Sequence, residues 1–211
     1  MINIIYNDAH ICVCEKPVNV DSEKGMPKLL AEQLGCEIYL IHRLDEAVGG
    51  LMVFAKTKQS AAKLSETVQN HALTKEYFCV VSGKPEKETD TLEDLLYRDA
   101  KSGKTFVVTR NRKGVKDAKL DYTLISSKEV EGSIISLIKV RLHTGRTHQI
   151  RVQFASRKLP LLGDRRYGGN KSAKNIALFS CHLAFDHPIT KQALDFTLTP
   201  PNDFPWNEFA Y

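Results

Sequence analysis

Gly49-Gly50-Leu51-Met52-Val53-Phe54-Ala55 is the segment that most restricts how this chain can fold. The apolar run from Leu51 to Ala55 has the length and composition of a buried strand. The glycine pair ahead of it lets the backbone take φ > 0 or come close to a ligand. Before the glycines, Ile41-His42-Arg43-Leu44-Asp45-Glu46 sets three polar side chains, His42, Arg43 and Asp45, at the mouth of that strand. A carboxylate in such a place beside an arginine is a candidate nucleophile or base, although the same residue types also make ordinary structural ion pairs.

The remaining segments are strand-like, with few helices. Ile2–Tyr6 and Ile11–Cys14 read as strands around an Asn7-Asp8 turn, and Pro17 ends the second. Val18–Gly25 reads as a loop, and Leu29–Leu34 as a short helix closed by Gly35. Gln59–His71 is the clearest helix, because Ala61, Leu64, Val68 and Ala72 share one face. Tyr77–Val81, Thr105–Thr109, Lys119–Ile125, Ile134–Leu142, Ile176–Phe185 and Ala193–Leu198 are further strands, while the acidic Pro85–Asp94 reads as exposed. Thr147 is placed to N-cap a helix running to about Arg157, with Ile150 and Phe154 on its buried face. Strands in hairpin-like groups give an α+β class with a mixed, largely antiparallel sheet.

A chain of 211 residues, 42% hydrophobic and 26% charged, suits one domain with a real core. No apolar stretch approaches the roughly 20 residues that span a bilayer, and the N-terminus lacks the basic start and apolar core of a signal peptide. The five cysteines are Cys12, Cys14, Cys36, Cys79 and Cys181, an odd number, and four lie in apolar runs. No second close pair joins Cys12-x-Cys14 to complete a zinc site, so reduced thiols in a cytoplasmic setting are expected.

The net charge of +5 is concentrated. Arg98, Lys101, Lys104, Arg110, Arg112, Lys113, Lys116 and Lys119 outnumber Asp99 and Asp117, so this one segment carries +6 and the rest is near neutral. Asn111-Arg112-Lys113-Gly114 reads as the turn of a basic hairpin that can track a phosphate backbone, or as a solvated loop. Arg165, Arg166, Lys171 and Lys174 make a weaker second cluster.

Three motifs stand in a telling order: His42-Arg43-Leu44-Asp45, Lys75-Glu76-Tyr77, and Thr144-Gly145-Arg146-Thr147-His148-Gln149-Ile150-Arg151. With Glu15-Lys16-Pro17 near the start, Gly163-Asp164-x-x-Tyr167-Gly168 later and His187-Pro188 near the end, the chain resembles the RluA-type RNA pseudouridine synthases over nearly its whole length. The resemblance implies the pseudouridine synthase fold, a central bent sheet with flanking helices and a catalytic cleft. It implies one catalytic domain over 1–211 with no accessory RNA-binding module before it, acting as a monomer on ribosomal or transfer RNA, with no metal and no cofactor. It assigns Asp45 as the catalytic aspartate and Arg151 as the guanidinium that favours its ionised form. Tyr77 becomes the aromatic that stacks on the target base, and Arg43 the arginine that enters the RNA beside the flipped nucleotide. His42, Arg146 and His148 become supports or phosphate contacts, Arg110, Arg112 and Lys113 part of an RNA-gripping hairpin, and Asp164 a structural carboxylate bonding backbone near Gly168.

One departure stands beside the nucleophile: the family's usual Thr-Ser-Gly is here Val48-Gly49-Gly50. Two hydroxyls that would order the loop are missing, which keeps open a catalytically silent RNA-binding or RNA-folding protein. A glycosidase using Asp45 and Asp164 as paired carboxylates is the third reading. The basic segment, and the lack of an aromatic cluster for sugars, count against it.

Overall fold

The computed structural model describes residues 1–169 and 172–211, so Lys171 of the second basic cluster lies outside the described residues. In chain order the first elements are β1 (Ile4–Asn7), β2 (Ile11–Lys16), α1 (Gly25–Leu34), β3 (Tyr39–Leu40), β4 (Gly49–Ala55), α2 (Lys58–Gln69) and β5 (Thr74–Ser82). They are followed by β6 (Thr89–Arg98), β7 (Thr105–Val108), β8 (Val115–Val130), β9 (Ser133–Leu142), α3 (Gln149–Ser156), β10 (Leu178–Asp186) and β11 (Ala193–Thr197). The chain forms two compact units, Met1–Lys75 with Phe179–Thr199, and Glu76–Leu178 with Pro200–Tyr211.

In the first unit the strands pair in the order β1-β2-β4-β10-β11. All these pairs are antiparallel except β4 with β10, which run parallel. All seven residues of β4 are buried, as the apolar run requires. Leu51, Val53 and Ala55 share a core cluster with Ile11, Val13, Leu183, Phe185 and Leu64 of α2. The alternate residues Met52 and Phe54, with Cys12 and Cys14 on β2, have no exposed surface and point to the other face. Those two thiols are therefore core packing. Helix α2 starts where the Thr57 side chain accepts the Ser60 N–H at 3.1 Å, and α1 ends on Gly35, φ 66°, whose N–H reaches the Ala31 carbonyl.

In the second unit the order is β5-β9-β8-β6-β7, antiparallel throughout. Helix α3 covers one face: Val152 packs with Leu96 and Ala118, and the Tyr122 and Phe154 rings meet at 5.5 Å. The α+β class and the mixed, largely antiparallel pairing are as expected.

Three local expectations change. Part of Pro85–Asp94, which reads as an exposed acidic stretch, belongs to the strand Thr89–Arg98: Glu88, Thr91 and Glu93 are exposed, but Leu92 and Leu96 are buried and Asp94 accepts a hydrogen bond from Gln153 of α3. Thr147 does not cap α3. The capping position is His148 in a left-handed conformation, φ 55°. The preceding loop is held by the Gln149 side chain, whose Oε1 accepts the Thr144 hydroxyl (2.8 Å) and the Arg146 N–H (3.0 Å). Asn111–Gly114 is not the turn of a hairpin, because β7 and β8 each pair with β6, which lies between them. The basic segment instead steps across the end of β6.

Candidate active site

Asp45 lies in a turn closed by the Val48 N–H on the Asp45 carbonyl at 2.9 Å, and its sequence neighbours are fixed one by one. Ser22 Oγ donates to the Leu44 carbonyl at 2.7 Å and accepts the Leu44 N–H at 3.2 Å. The Glu46 carbonyl accepts the Asn19 N–H at 2.8 Å and the ammonium of Lys16 at 2.9 Å. Lys16 has no exposed surface. Its other two protons go to the carbonyls of Pro17 (2.8 Å) and Val20 (2.7 Å), so all three donors are used. Burial pushes its pKa down to about 8, opposed by the carboxylates of Glu46, Asp21 and Asp45.

His42 supports the same loop from the other side. Strand β3 pairs with β4 at Phe54 and Ala55 and then leaves it. The next donor, the Val53 N–H, goes to His42 Nε2 at 3.1 Å. An imidazole thus continues the ladder where the strand stops. Accepting at Nε2 places the proton on Nδ1, which is buried with no hydrogen-bond partner among the described residues. Burial, aided by the charge of Lys75, pushes the His42 pKa down to about 3, so the ring stays neutral. Arg43 forms an exposed ion pair with Glu23.

The glycine pair is needed for the crossing of β10. Gly50 has φ +113°, and a Cβ there would lie 2.3 Å from the Ser180 carbonyl oxygen. Ser180 Oγ in turn donates to the Leu51 carbonyl at 3.0 Å.

In the second unit, Arg151 is the third residue of α3 and is 6% exposed. Its Nε and Nη2 donate to the two oxygens of Asp164 at 2.7 and 2.9 Å, a bidentate pair with a fully buried carboxylate. Asp164 also accepts the Arg166 N–H at 3.1 Å. The expected backbone tether of Asp164 is present, and the salt bridge to Arg151 goes beyond what the sequence indicates. Gly163, φ +73°, permits the close pass of the Asn175 carbonyl, 2.1 Å from where a Cβ would be. The Arg151 guanidinium lies 5.2 Å from the centroid of the Tyr167 ring. The Tyr167 hydroxyl accepts the Thr105 N–H at 2.8 Å and is hydrogen-bonded to His148 Nδ1 at 2.9 Å.

Tyr77 is 5% exposed. Its partner across the ladder is Val140, which pairs on its other side with Tyr122. Directly paired residues share a face, and Tyr122 packs on Phe154 of α3. Tyr77 therefore lies on the face of the sheet that α3 and Arg151 occupy. Among the other expected contacts, Arg146 Nε donates to the Asp117 carbonyl at 2.8 Å. Arg110, Arg112 and Lys113 are exposed, with the Arg112 guanidinium 4.5 Å from the centroid of the Tyr97 ring.

Lys16 and Tyr167 stand in motifs of the resemblance with no role assigned to them there, and Ser22 is not singled out by the sequence at all. A lysine ending an apolar strand run ahead of a proline was the available signal for the first. Among the described residues, no helix is long and apolar enough to cross a membrane.

With its HRLD turn, Tyr77 strand and Arg151 helix, the chain belongs to the RNA pseudouridylate synthase family, whose model matches residues 10–156, and the RluA-type motifs are those of its relatives. It is an isomerase of that class. An RNA pseudouridine synthase of Aquifex aeolicus is 32% identical, over 96% of this chain and 71% of that protein. The ribosomal large subunit pseudouridine synthase D of Haemophilus influenzae is 31% identical, over 96% and 68%. The tRNA pseudouridine synthase C of Yersinia pestis is 28% identical, over 98% and 88%. The human RNA pseudouridylate synthase domain containing 1 shares the fold with a TM-score of 0.84 at 20% identity, covering 97% of this chain and 85% of that one.

Proposed function

We propose that this chain isomerises particular uridines of ribosomal or transfer RNA, with Asp45 as the nucleophile. The bond from C1′ to uracil N1 breaks, the base turns, C5 joins C1′, and the C5 proton leaves to solvent while N1 regains one. The observation that carries this reading is the fixation of the backbone on both sides of Asp45 by Ser22, Lys16, Asn19 and Val48. A carboxylate held this way approaches a ring or sugar carbon without first ordering its loop.

The target uridine has to leave its stack, at a cost of a few kcal/mol. Tyr77 offers an aromatic face that tolerates both orientations of the base, since stacking needs no fixed hydrogen bonds, and the reading gives it a part in the loss of the C5 proton. Arg151, locked by Asp164, is the guanidinium that the reading assigns to favour the ionised form of Asp45. Arg43 can exchange its exposed Glu23 partner for the RNA, because such surface pairs are weak. The relatives named for ribosomal and transfer RNA support those two substrate classes.

Tritium release from RNA labelled at uracil C5 tests the reading. Wild type should release tritium, and Asp45→Asn should fold and release none. Residual activity within tenfold of wild type, about 1.4 kcal/mol of barrier, would remove Asp45 from the nucleophile role. Binding without any release by the wild type would instead mark a silent RNA-binding protein, the alternative raised by Val48-Gly49.

A further inference from the structure

The face of the second-unit sheet turned away from α3 carries a planar, basic patch near its β7 edge. Leu96 packs toward α3, so its neighbour Tyr97 points to the opposite face. Tyr97 lies directly across the ladder from Phe106 of β7, and paired residues have side chains about 5 Å apart on one face. Phe106 is 42% exposed, a large aromatic left in solvent on an edge strand. The guanidinium of Arg112 lies 4.5 Å from the Tyr97 ring centroid, and Lys104 Nζ is 5.8 Å from that of Phe106. The patch thus presents two neighbouring planes, a phenyl ring and a guanidinium stacked on a phenol. Arg110 and Lys113, on either side of Arg112 in the segment joining β7 to β8, are exposed.

We infer that Phe106 and the Arg112–Tyr97 stack form a platform for unpaired bases of an RNA strand flanking the target uridine. It would be a second contact on the sheet face opposite Tyr77. The chemistry selects the partner. A duplex hides its base faces and offers phosphate alone, which the surrounding lysines and arginines would serve without any exposed ring. A single strand offers both phosphate and base faces, and bases stack on aromatic rings and on guanidinium planes alike. Cations packed beside aromatics disfavour an apolar protein partner and favour a polyanion with π-faces. The inference rests on the RNA-modifying reading, and its test does not require turnover.

The test is binding of a short single-stranded RNA and of an RNA duplex of equal charge to the whole protein, across a salt series. Phe106→Ala should weaken single-strand binding roughly 5- to 150-fold, leave the slope of log affinity against log salt unchanged, and leave duplex binding unchanged. Phe106→Trp should retain single-strand binding. Replacing Arg110, Arg112 and Lys113 with alanine should do the opposite to the slope, lowering it by roughly 0.7 for each lost single-strand contact. Unchanged single-strand affinity in Phe106→Ala would overturn the platform, as would equal losses on single strand and duplex, or retained binding by Phe106→Ala with loss in Phe106→Trp. Tritium release by the wild type is read separately, so failure of the platform leaves the catalytic reading standing.

Discussion

The ammonium of Lys16 reaches the carbonyl oxygen of Glu46 at 2.9 Å across 30 residues of sequence, fixing the residue after Asp45 to the end of β2. Removing that ammonium leaves the Pro17 and Val20 carbonyls buried without their donor, while Glu46 keeps the Asn19 N–H. Lys16→Met should therefore cost about 2–4 kcal/mol, read as a lower urea midpoint at unchanged slope. It should also lower kcat for RNA more than it changes KM, because the loop that loosens is the one bearing Asp45. An unaltered midpoint would mean that those carbonyls find other donors.

Asp164 and Arg151 depend on one another. Asp164→Ala takes the two-pronged carboxylate partner from a 6% exposed guanidinium, which should cost about 3–5 kcal/mol. Arg151→Lys keeps the charge but loses the two-pronged contact, so its turnover should fall even where the protein remains folded. Equal turnover in Arg151→Lys would show that charge alone suffices at this position.

The glycine pair gives a graded prediction. At Gly50 a Cβ would lie 2.3 Å from the Ser180 oxygen, so Gly50→Ala should cost about 4 kcal/mol or more. At Gly49 it would lie 3.3 Å from both the Lys16 carbonyl and the Val18 side chain, close enough that a neighbour must yield slightly. Gly49→Ser combined with Val48→Thr should then lower the single-turnover rate rather than restore a family-like one, since the neighbours that yield, Lys16 and Val18, lie in the Lys16–Asn19 stretch, whose Lys16 side chain and Asn19 backbone bond Glu46. A gain in rate would identify the missing hydroxyls as a defect.

His42 makes stability depend on pH. Its pKa is about 3 in the folded chain and about 6.5 when unfolded. Between those values the unfolded chain binds more protons, so stability falls as pH drops from about 6.5 toward 3. Urea midpoints of wild type and His42→Ala across that range should converge as pH falls. Parallel curves would mean that His42 keeps its ordinary pKa.

Much of this was legible in the sequence because it depends on local pattern. The apolar run at Leu51–Ala55, the Ala61/Leu64/Val68 face of α2 and the Gly35 stop each follow from period or backbone geometry. What was not legible depends on distant partners. Lys16 looked like a strand end until the carbonyls of Val20 and Glu46 came round it. Asp164 looked like a turn residue until α3 brought Arg151 to it. The strand at Thr89–Arg98 was hidden because one polar face outweighs Leu92 and Leu96 in composition. The basic segment reads as a hairpin turn in the sequence because pairing of β6 with both neighbours is a property of the sheet, not of the turn.

The parallel seam between β4 and β10 bears on how the protein is made. Ser180 meets Leu51 across 129 residues, and the first compact unit takes its last strands from Phe179–Thr199. On the ribosome, the fully apolar β4 emerges early with β2 on one edge and waits, its other edge held by two residues of β3 and by the His42 ring. The intervening residues 76–178 can collapse meanwhile. The half that bears Asp45 is thus begun first and finished late, and an arrest before residue 179 would leave the Gly49–Gly50 start of β4 without its β10 partners, an open strand edge of the kind that chaperones bind and that aggregates recruit.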